Sequence, residues 1–313
     1  MKRHIIKILS FLFLIGCNSV DYKPKYKDFG NAWEKENLIG KVKSLKQYKA
    51  NITDIETGET ESPIIELKKE FTESGYIYQE EHFDNFGKLQ QYTKNIYDKN
   101  GFRIESITEN IVIPMKTEET AVFDTIVKKQ ISTHAIFNDS IRFDAFFKYD
   151  ENGNPIESIS IENSDTTIAR LEYEYDGNKN IISMKQIQRV DSNIYEYFTE
   201  YKYNQEGNYS ELSFKADYAE TKSIYEYDNK NYLRKISEYQ SDEIQKETTF
   251  DKFYNKILVR FFVNGNLNRV MKYNYKFDNK GNWIKREVFV KENIETNKFI
   301  PIYNETRVIE YYN

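Results

Sequence analysis

The chain has 313 residues and a formal net charge of -5. Its 26 tyrosines and 21 phenylalanines exclude an acidic disordered chain, which would carry few aromatic residues. The acidic balance and the lack of a basic cluster also exclude nucleic acid as a partner.

Residues 1 to 16 have the features of a bacterial signal peptide. Basic residues precede an apolar run that ends at Ile15, which is too short for a retained transmembrane helix. The tetrapeptide Leu14-Ile15-Gly16-Cys17 resembles the bacterial lipobox, and this resemblance implies cleavage before Cys17 and acylation of that residue. More than one acyl chain would anchor the protein stably. Cys17 is the only cysteine in the chain, so no disulfide can form within it.

The residues after the predicted signal peptide indicate where the protein is located and how its chain is divided into domains. Asn18 and Ser19 do not include the Asp that favours retention in the inner membrane, so we expect an outer-membrane lipid anchor, facing the periplasm or the cell surface. Residues 17 to 32 are predicted to be the lipidated cysteine and a polar tether. No linker rich in Pro, Gly or Ser divides the rest, so residues 33 to 313 are predicted to form one domain.

A short motif recurs along this domain after a first strand predicted over Gly40 to Ile52. An aromatic residue is followed by a residue that is usually Asp or Asn, and the fourth residue after the aromatic is usually Gly or Asn. Asp or Asn can accept a hydrogen bond from the backbone two residues on, and Gly accepts a positive φ. Each copy therefore predicts a hairpin turn, with Lys179 and Tyr254 the residues that suit their turns least. The copies begin at Phe71, Phe83, Tyr97, Tyr149, Tyr175, Tyr203, Tyr227, Phe250 and Phe277.

Residues between these turns alternate in character. Tyr173 and Tyr175 flank Glu174, and Tyr201 and Tyr203 flank Lys202. A period of two predicts strands with one aromatic face and one charged face. Each repeat contains two strands, and subtracting a turn from half a repeat leaves strands of about eight residues, which are roughly 26 Å long at the usual rise of about 3.3 Å per residue.

The motif lapses between Tyr97 and Tyr149. Ile111 to Pro114 and Ala121 to Ile126 still look like strands, so irregular hairpins are predicted there. No amphipathic helix is predicted anywhere after the signal peptide. An even repeat argues against a site within it, so a specific activity is expected where the repeat fails, above all between Ile104 and Phe146.

The Y-x-Y-D-x-x-G-N pattern, clearest at Tyr275 to Asn282 and at Phe147 to Asn154, resembles the YD repeat of the Rhs family. The resemblance covers about residues 66 to 290 and implies an all-β fold: a long antiparallel meander of hairpins in a coiled or curled sheet. Nothing corresponds to the C-terminal toxin region of that family, so toxin delivery is not implied. A transmembrane barrel is disfavoured because the non-aromatic face is charged and leaves no band for lipid.

No residue pattern points to catalysis, a metal or a cofactor. His82 and His134 lie in predicted strands without a serine or cysteine signature. Turn chemistry accounts for the Asp and Asn residues that faintly resemble calcium loops, as at Asp150. The aromatic rows are expected to form the core, with Trp33 and Trp283 as caps near its two ends.

The expected function is a non-catalytic binding or structural module in the cell envelope. Three alternatives remain open at this point. A glycan-binding accessory lipoprotein predicts exposed aromatic residues in a groove, and an immunity-type lipoprotein predicts a broad acidic face. A hydrolase predicts two convergent carboxylates in a pocket.

Overall fold

The computed structural model describes residues 32–124, 128–190, 192–217, 219–292, 294–296 and 298–313. The predicted signal peptide, Cys17 and the predicted tether before Ala32 lie outside these residues. The described chain contains a short helix, α1 (Ala32–Lys35), which the sequence did not predict because it is a single turn. The strands are β1 (Val42–Asn51), β2 (Ile64–Phe71), β3 (Ile77–Phe83), β4 (Leu89–Tyr97), β5 (Arg103–Asn110), β6 (Met115–Asp124), β7 (Lys129–Phe137), β8 (Ile141–Tyr149), β9 (Pro155–Glu162), β10 (Asp165–Tyr175), β11 (Ile181–Val190), β12 (Asn193–Tyr203), β13 (Tyr209–Ala216), β14 (Ala219–Tyr227), β15 (Leu233–Gln240), β16 (Glu243–Phe250), β17 (Lys256–Val263), β18 (Asn266–Phe277), β19 (Trp283–Lys291) and β20 (Ile300–Tyr311).

The sheet is a closed barrel of 20 antiparallel strands. Each strand pairs with its neighbours along the chain, and β1 also pairs with β20, from Val42 opposite Tyr311 to Asn51 opposite Tyr303. The all-β class is confirmed, but the predicted coiled or curled open sheet is wrong. Because the barrel is closed, β1 and β20 each have a hydrogen-bonded strand on both sides, so neither is an edge strand.

Nearly all copies of the motif gather at one end of the barrel, here called the YD rim. They join even-numbered strands to the following strands, whereas Asp84 to Gly87 joins β3 to β4 at the opposite end. The turns of the YD rim are Thr72 to Gly75, Asp98 to Gly101, Asp150 to Gly153, Asp176 to Lys179, Asn204 to Gly207, Asp228 to Asn231, Asp251 to Tyr254 and Asp278 to Gly281.

The turn chemistry is as the sequence predicts. The Oδ1 atom of Asp176 accepts hydrogen bonds from the backbone N–H groups of Asn178 (2.9 Å) and Asn180 (2.8 Å). The residues least suited to their turns, Lys179 and Tyr254, still adopt φ values of 65° and 63°. Bonds from the Asp side chain and pairing of the flanking strands hold these residues in a region that L-amino acids otherwise avoid.

The hairpins of the irregular region belong to the same sheet. Ile111 to Pro114, which looked like a strand, is instead the turn between β5 and β6, so that prediction is wrong. The Oδ1 atom of Asn110 accepts hydrogen bonds from the N–H groups of Val112 (3.1 Å) and Ile113 (2.9 Å), and this local bonding competes with the strand ladder. The other predicted strand, Ala121 to Ile126, is confirmed as far as Asp124, where the described part of it ends.

The aromatic face of the strands points into the barrel. On β12, Tyr197 and Tyr201 are buried, whereas Glu200 and Lys202 are exposed. Side chains on the concave face of a closed sheet converge, so the more buried set lines the lumen. Barrels with this many strands are wide enough to leave a lumen, and many inward side chains are only half-buried, as on β13. The inward aromatic side chains therefore lie along the barrel wall, where Tyr197 and Tyr201 are buried.

A compact apolar cluster lies where the N-terminal segment meets the YD rim. Leu38, Val42, Leu45 and Phe71 are almost completely buried, and Trp33 packs against them. The Nε1–H of Trp33 donates to the backbone oxygen of Val42 (2.8 Å). Trp33 therefore packs on an apolar cluster near the start of the domain, which differs from the predicted cap on the aromatic rows.

The segment from Ala32 to Gly40, here called the N-terminal strap, runs along this rim. The backbone N–H of Ala32 donates to the oxygen of Gly75 (2.8 Å), in the turn between β2 and β3. The N–H of Ile39 donates to Oδ1 of Asn282 (2.7 Å), at the turn between β18 and β19. The strap thus connects turns that β1 and β20 separate, and it secures the seam where the barrel closes.

Candidate functional site

Tyrosine hydroxyl groups form a ring of hydrogen bonds at the YD rim, here called the tyrosine belt. Each hydroxyl donates to a backbone oxygen at the start of the preceding strand, over 2.6–2.8 Å. These bonds fasten the open ends of successive hairpins, so the hydroxyl groups serve the barrel itself. The pairs are Tyr97 with Ile77, Tyr149 with Gln130, Tyr173 with Pro155, Tyr203 with Ile181, Tyr227 with Tyr209 and Tyr275 with Lys256.

Burial also changes the ionisation of the inward tyrosines. It raises the pKa of Tyr201, Tyr275 and Tyr303 to about 12, because the phenolate is disfavoured away from water. A group whose pKa is raised by folding stabilises the fold below its unfolded pKa, and this contribution is lost as the pH rises through the folded value. We therefore expect the barrel to lose stability steadily from about pH 10 to about pH 12.

An alkaline titration checks this expectation by following phenolate absorbance and circular dichroism together. Ionisation of the inward tyrosines should coincide with loss of the strand signal. If all phenolate absorbance developed at the ordinary tyrosine pKa while the strand signal stayed intact, the tyrosines would not be buried as described.

A cavity of about 380 Å³, here called the rim pocket, opens at the YD rim beside α1. Its aromatic lining consists of two stacked pairs. The rings of Tyr76 and Tyr97 are 5.0 Å apart and inclined by 25°, and those of Phe102 and Phe123 are 4.6 Å apart and inclined by 12°. The pocket is lined by the turn between β4 and β5, the end of β6 and the start of β7, so it lies where the regular repeat stops.

The rim pocket departs from the repeat in residue type as well as in spacing. The residue after the fourth turn position is Asn in most turns of the YD rim, as at Asn154, Asn180 and Asn255. The Nδ2 group of Asn180, for example, donates to Oδ2 of Asp176 (2.9 Å). In the two turns beside the pocket this residue is Tyr76 or Phe102, so rings replace groups that elsewhere stabilise the turn.

Tyr232 also stands where most turns of the YD rim have Asn, but its surroundings differ from those of the rim pocket. The guanidinium of Arg234 lies over its ring, 5.7 Å from the centroid, and the same guanidinium is paired with Asp228. This ring is therefore covered by an ion-paired arginine, whereas the rings of the rim pocket border a cavity.

Polar groups border the same pocket. Lys35 of α1 is exposed, Arg103 donates through one terminal nitrogen to both carboxylate oxygens of Glu119 (3.1 and 3.2 Å), and Gln130 donates to the hydroxyl of Thr133 (2.7 Å). The pocket therefore combines aromatic surface with two cations and an amide.

Gly101 is required for the close packing on one side of the pocket. It has a φ of 84°, and a Cβ atom built there would lie 2.5 Å from the hydroxyl of Tyr76. A side chain at this position would displace the ring of Tyr76, so the missing Cβ determines how the aromatic pair sits.

A buried charged cluster lies at the seam, between β19, β20 and β1. Both the Nε–H and an NH2 group of Arg286 donate to Glu305, which is 5% exposed. Arg307 donates to Oε1 of Gln47 (3.0 Å), and its guanidinium lies 3.6 Å from the ring centroid of Trp283. Trp283 thus lies beside this charged cluster, not over an apolar core as predicted.

Burial lowers the pKa of both arginines, whereas nearby carboxylates raise it. Burial disfavours the charge of Arg286, but the hydrogen bonds and the charge of Glu305 outweigh burial and raise the pKa of Arg286. Burial dominates at Arg307 and lowers its pKa to about 10. Both side chains stay cationic near neutral pH, so the cluster supports the seam and offers no group suited to proton transfer.

The histidines and turn carboxylates singled out by the sequence are not brought together. His82 on β3 lies 2.9 Å from Glu80, and His134 on β7 lies 2.7 Å from Asp144. The two histidines therefore lie on different strands and have separate partners. The carboxylate of Asp150 accepts from the backbone N–H of Asn154 (2.7 Å) and from the hydroxyl of Tyr175 (2.6 Å), as turn chemistry requires. Within the described ranges, no group of three or more His, Cys, Asp or Glu side chains is placed to hold a metal ion.

Ion pairs lie on the outward face of the barrel. Lys202 pairs with Glu211 across β12 and β13 (2.8 Å), and Glu157 pairs with both Lys148 (2.7 Å) and Arg170 (3.3 Å). The outward face therefore mixes both signs of charge.

Among the residues described, no helix has the length and apolar character needed to cross a membrane. No family model matches the chain, and no curated protein matches it.

Solved structures show weak similarity to this chain. A porin-like protein from Bacteroides uniformis ATCC 8492 has a TM-score of 0.32 and 10% identity, over 86% of this chain and 98% of that one. A porin-like protein from Bacteroides vulgatus ATCC 8482 has a TM-score of 0.27 and 12% identity, over 85% and 97%. TcdB2-TccC3 has a TM-score of 0.31 and 10% identity, over 75% of this chain but 18% of that one. Scores this low carry no argument about function, which must come from the residues of this chain.

Proposed function

We propose that this protein is a bacterial envelope lipoprotein, anchored through acylated Cys17, whose barrel is a non-catalytic binding or structural module. The observation that carries the proposal is the lipobox-like Leu14-Ile15-Gly16-Cys17 ahead of a barrel whose outward face carries ion pairs. The N-terminal strap, with which the described chain begins, lies at the YD rim.

Ion pairs on the outward face support a lipid anchor in place of a spanning barrel. Lys148, Glu157 and Arg170 form an ion-paired group on the outward side of three neighbouring strands. A lysine or arginine facing lipid near the bilayer midplane costs about 2–4 kcal/mol. Water is the favourable surrounding for such a face, and the acyl chains would supply the attachment.

The state of the carboxyl groups supports a non-catalytic role. A general acid needs a carboxyl whose pKa is raised. Every described Asp or Glu with a shifted pKa is shifted down instead. Burial raises the pKa of Glu80, for example, but His82 and Lys69 together outweigh it. The groups that lower the pKa of these carboxyls are tyrosine hydroxyls, turn amides and ion-pair partners.

Intact-mass measurement tests the anchor. The protein purified from bacterial membranes is expected to begin at Cys17 and to carry the mass of two or three acyl chains. Cys17→Ala removes the acyl-accepting sulfur and should yield a chain without any acyl mass. An unmodified Cys17 in the membrane-purified protein would rule out the lipoprotein assignment.

The binding role is tested separately. Tagged full-length protein is captured from detergent-solubilised envelopes and is also applied to a glycan array, with the tag alone as the control. Enrichment of a partner or glycan above that control is expected. Enrichment no greater than the control in both assays would remove the support for a binding module and leave only a structural one.

A further inference from the structure

We infer that the rim pocket is a carbohydrate site that holds one or two sugar rings against the aromatic pairs Tyr76–Tyr97 and Phe102–Phe123. The inference deepens the proposed function, since it names a ligand class for a binding module. The regular repeat of the YD rim is broken beside this pocket. Turn-stabilising Asn is absent from the two turns beside the pocket, and rings stand in its place.

Beside the pocket, β6 has no belt tyrosine, and β2 and β16 likewise end in a phenylalanine, at Phe71 and Phe250. Phe123 holds the place near the end of β6 that Tyr97 holds at the end of β4 and Tyr149 at the end of β8. Phenylalanine has no hydroxyl, so it cannot make the bond to a backbone oxygen that defines the tyrosine belt. The ring of Phe123 therefore contributes aromatic surface to the pocket without the structural bond of its counterparts.

The lining matches the two kinds of surface on a sugar ring. The faces of pyranose rings carry polarised C–H bonds, which pack favourably on the electron-rich face of an aromatic ring. Their edges carry hydroxyl groups, which accept from cations and exchange hydrogen bonds with amides. Lys35, Arg103 and Gln130 place such groups at the border of the same cavity.

The size and position of the pocket favour a small piece of glycan. Ligand pockets usually measure about 300–1,000 Å³, and a cavity of about 380 Å³ is at the small end of this range. One or two rings fit that volume. The pocket opens at the rim, so the rest of a longer chain could continue into water.

The two cations do not make the pocket an anion site. Arg103 is already paired through its guanidinium with Glu119, and Lys35 lies exposed at the edge. A ligand held chiefly by charge would need that guanidinium free. Stacking on the rings is therefore the main expected contribution, and the polar groups supply orientation.

Saturation-transfer NMR and calorimetry on the purified mature protein test the inference. The probes are maltose, cellobiose, lactose, N,N'-diacetylchitobiose and digalacturonate. At least one of them is expected to bind, with saturation strongest on the ring C–H protons. Phe123→Leu keeps an apolar side chain but removes the stacking ring, and it should weaken binding at least tenfold. Lys35→Ala, at an exposed position, should weaken binding several-fold without any change in thermal stability.

Phe214→Leu is the matched control. The ring of Phe214 stacks on Tyr197 (6.1 Å, 19°) elsewhere on the inward face, so its loss should leave sugar binding unchanged. Equal weakening in the Phe123 and Phe214 variants, or unchanged binding in the Phe123 variant, would overturn the assignment of the site. Failure of every probe to bind at millimolar concentration would overturn the ligand class.

The outcomes separate this inference from the proposed function. An acylated protein that captures an envelope partner but binds no probe sugar retains the proposed function and loses the carbohydrate site. A protein that binds sugar through Phe123 but carries no acyl mass keeps the site and loses the anchor.

Discussion

Glu305→Ala is expected to lower the free energy of unfolding by about 3–5 kcal/mol. Glu305 is 5% exposed and accepts two hydrogen bonds from Arg286. Its removal would leave the guanidinium of Arg286 buried without its carboxylate. Removing one partner of a buried ion pair costs far more than the pair contributes, because the remaining charge cannot recover its hydration.

The position of Glu305 increases the effect on the fold. Glu305 lies opposite Arg286 on β19 and opposite Lys49 on β1, so it belongs to the seam that closes the barrel. Chemical denaturation of the variant and the parent measures the loss. Amide exchange should show β1 and β20 losing protection before the strands on the far side of the barrel.

Glu211→Ala is the control for this experiment. Glu211 pairs with Lys202, whose side chain is 63% exposed, on the outward face. Exposed pairs of this kind contribute about 0–1 kcal/mol, so the control should change little. The double variant Glu305→Ala with Arg286→Met removes the orphaned charge and should recover part of the stability. A loss at Glu305 no larger than at Glu211 would mean that the seam pair is solvated.

Asn282→Ala is expected to lower the free energy of unfolding by about 2–3 kcal/mol and to release the N-terminal strap. Asn282 is 2% exposed. Its Oδ1 atom accepts from the N–H of Ile39 (2.7 Å), and its Nδ2 group donates to the oxygen of Ile39 (2.8 Å) and to the hydroxyl of Tyr311 (2.7 Å). Alanine would leave these buried polar groups without their partner.

Hydrogen exchange and limited proteolysis measure release of the strap. Residues 32 to 40 should exchange faster in Asn282→Ala, and a protease should cut there first. Asn180→Ala is the matched control, since Asn180 has the same place in its turn but bonds through its side chain to Asp176 alone. The control should cost less than about 1 kcal/mol. Equal exchange of the strap in the parent and in Asn282→Ala would show that other contacts hold it.

The candidate site was only partly visible in the sequence. The lapse of the repeat directed attention to Ile104 to Phe146, and Phe123 and Gln130 of the rim pocket do lie there. Tyr76, Tyr97 and Lys35 lie outside that range and were missed. A usable signal was present at Tyr76 and Phe102, which replace the Asn found in most other turns of the YD rim.

Turns and alternation were determined by the sequence alone. Asp278 and Gly281 specify their turn through bonds and a φ value that involve five consecutive residues, and the same holds around the YD rim. The aromatic and charged faces follow from a period of two, because successive side chains on a strand point to opposite sides. Local chemistry of this kind can be read without knowing where the strands go.

Closure, the strap and the rim pocket were decided by the tertiary structure. Whether β1 meets β20 depends on twist and register accumulated over all 20 strands, and no short stretch encodes that sum. The bond between Ile39 and Asn282 joins residues 243 positions apart, and the pocket assembles side chains from α1 and several strands. Asn282 therefore looks like one more turn residue in the sequence, yet closure of the barrel makes it the point where the N-terminal strap is fastened to the rim.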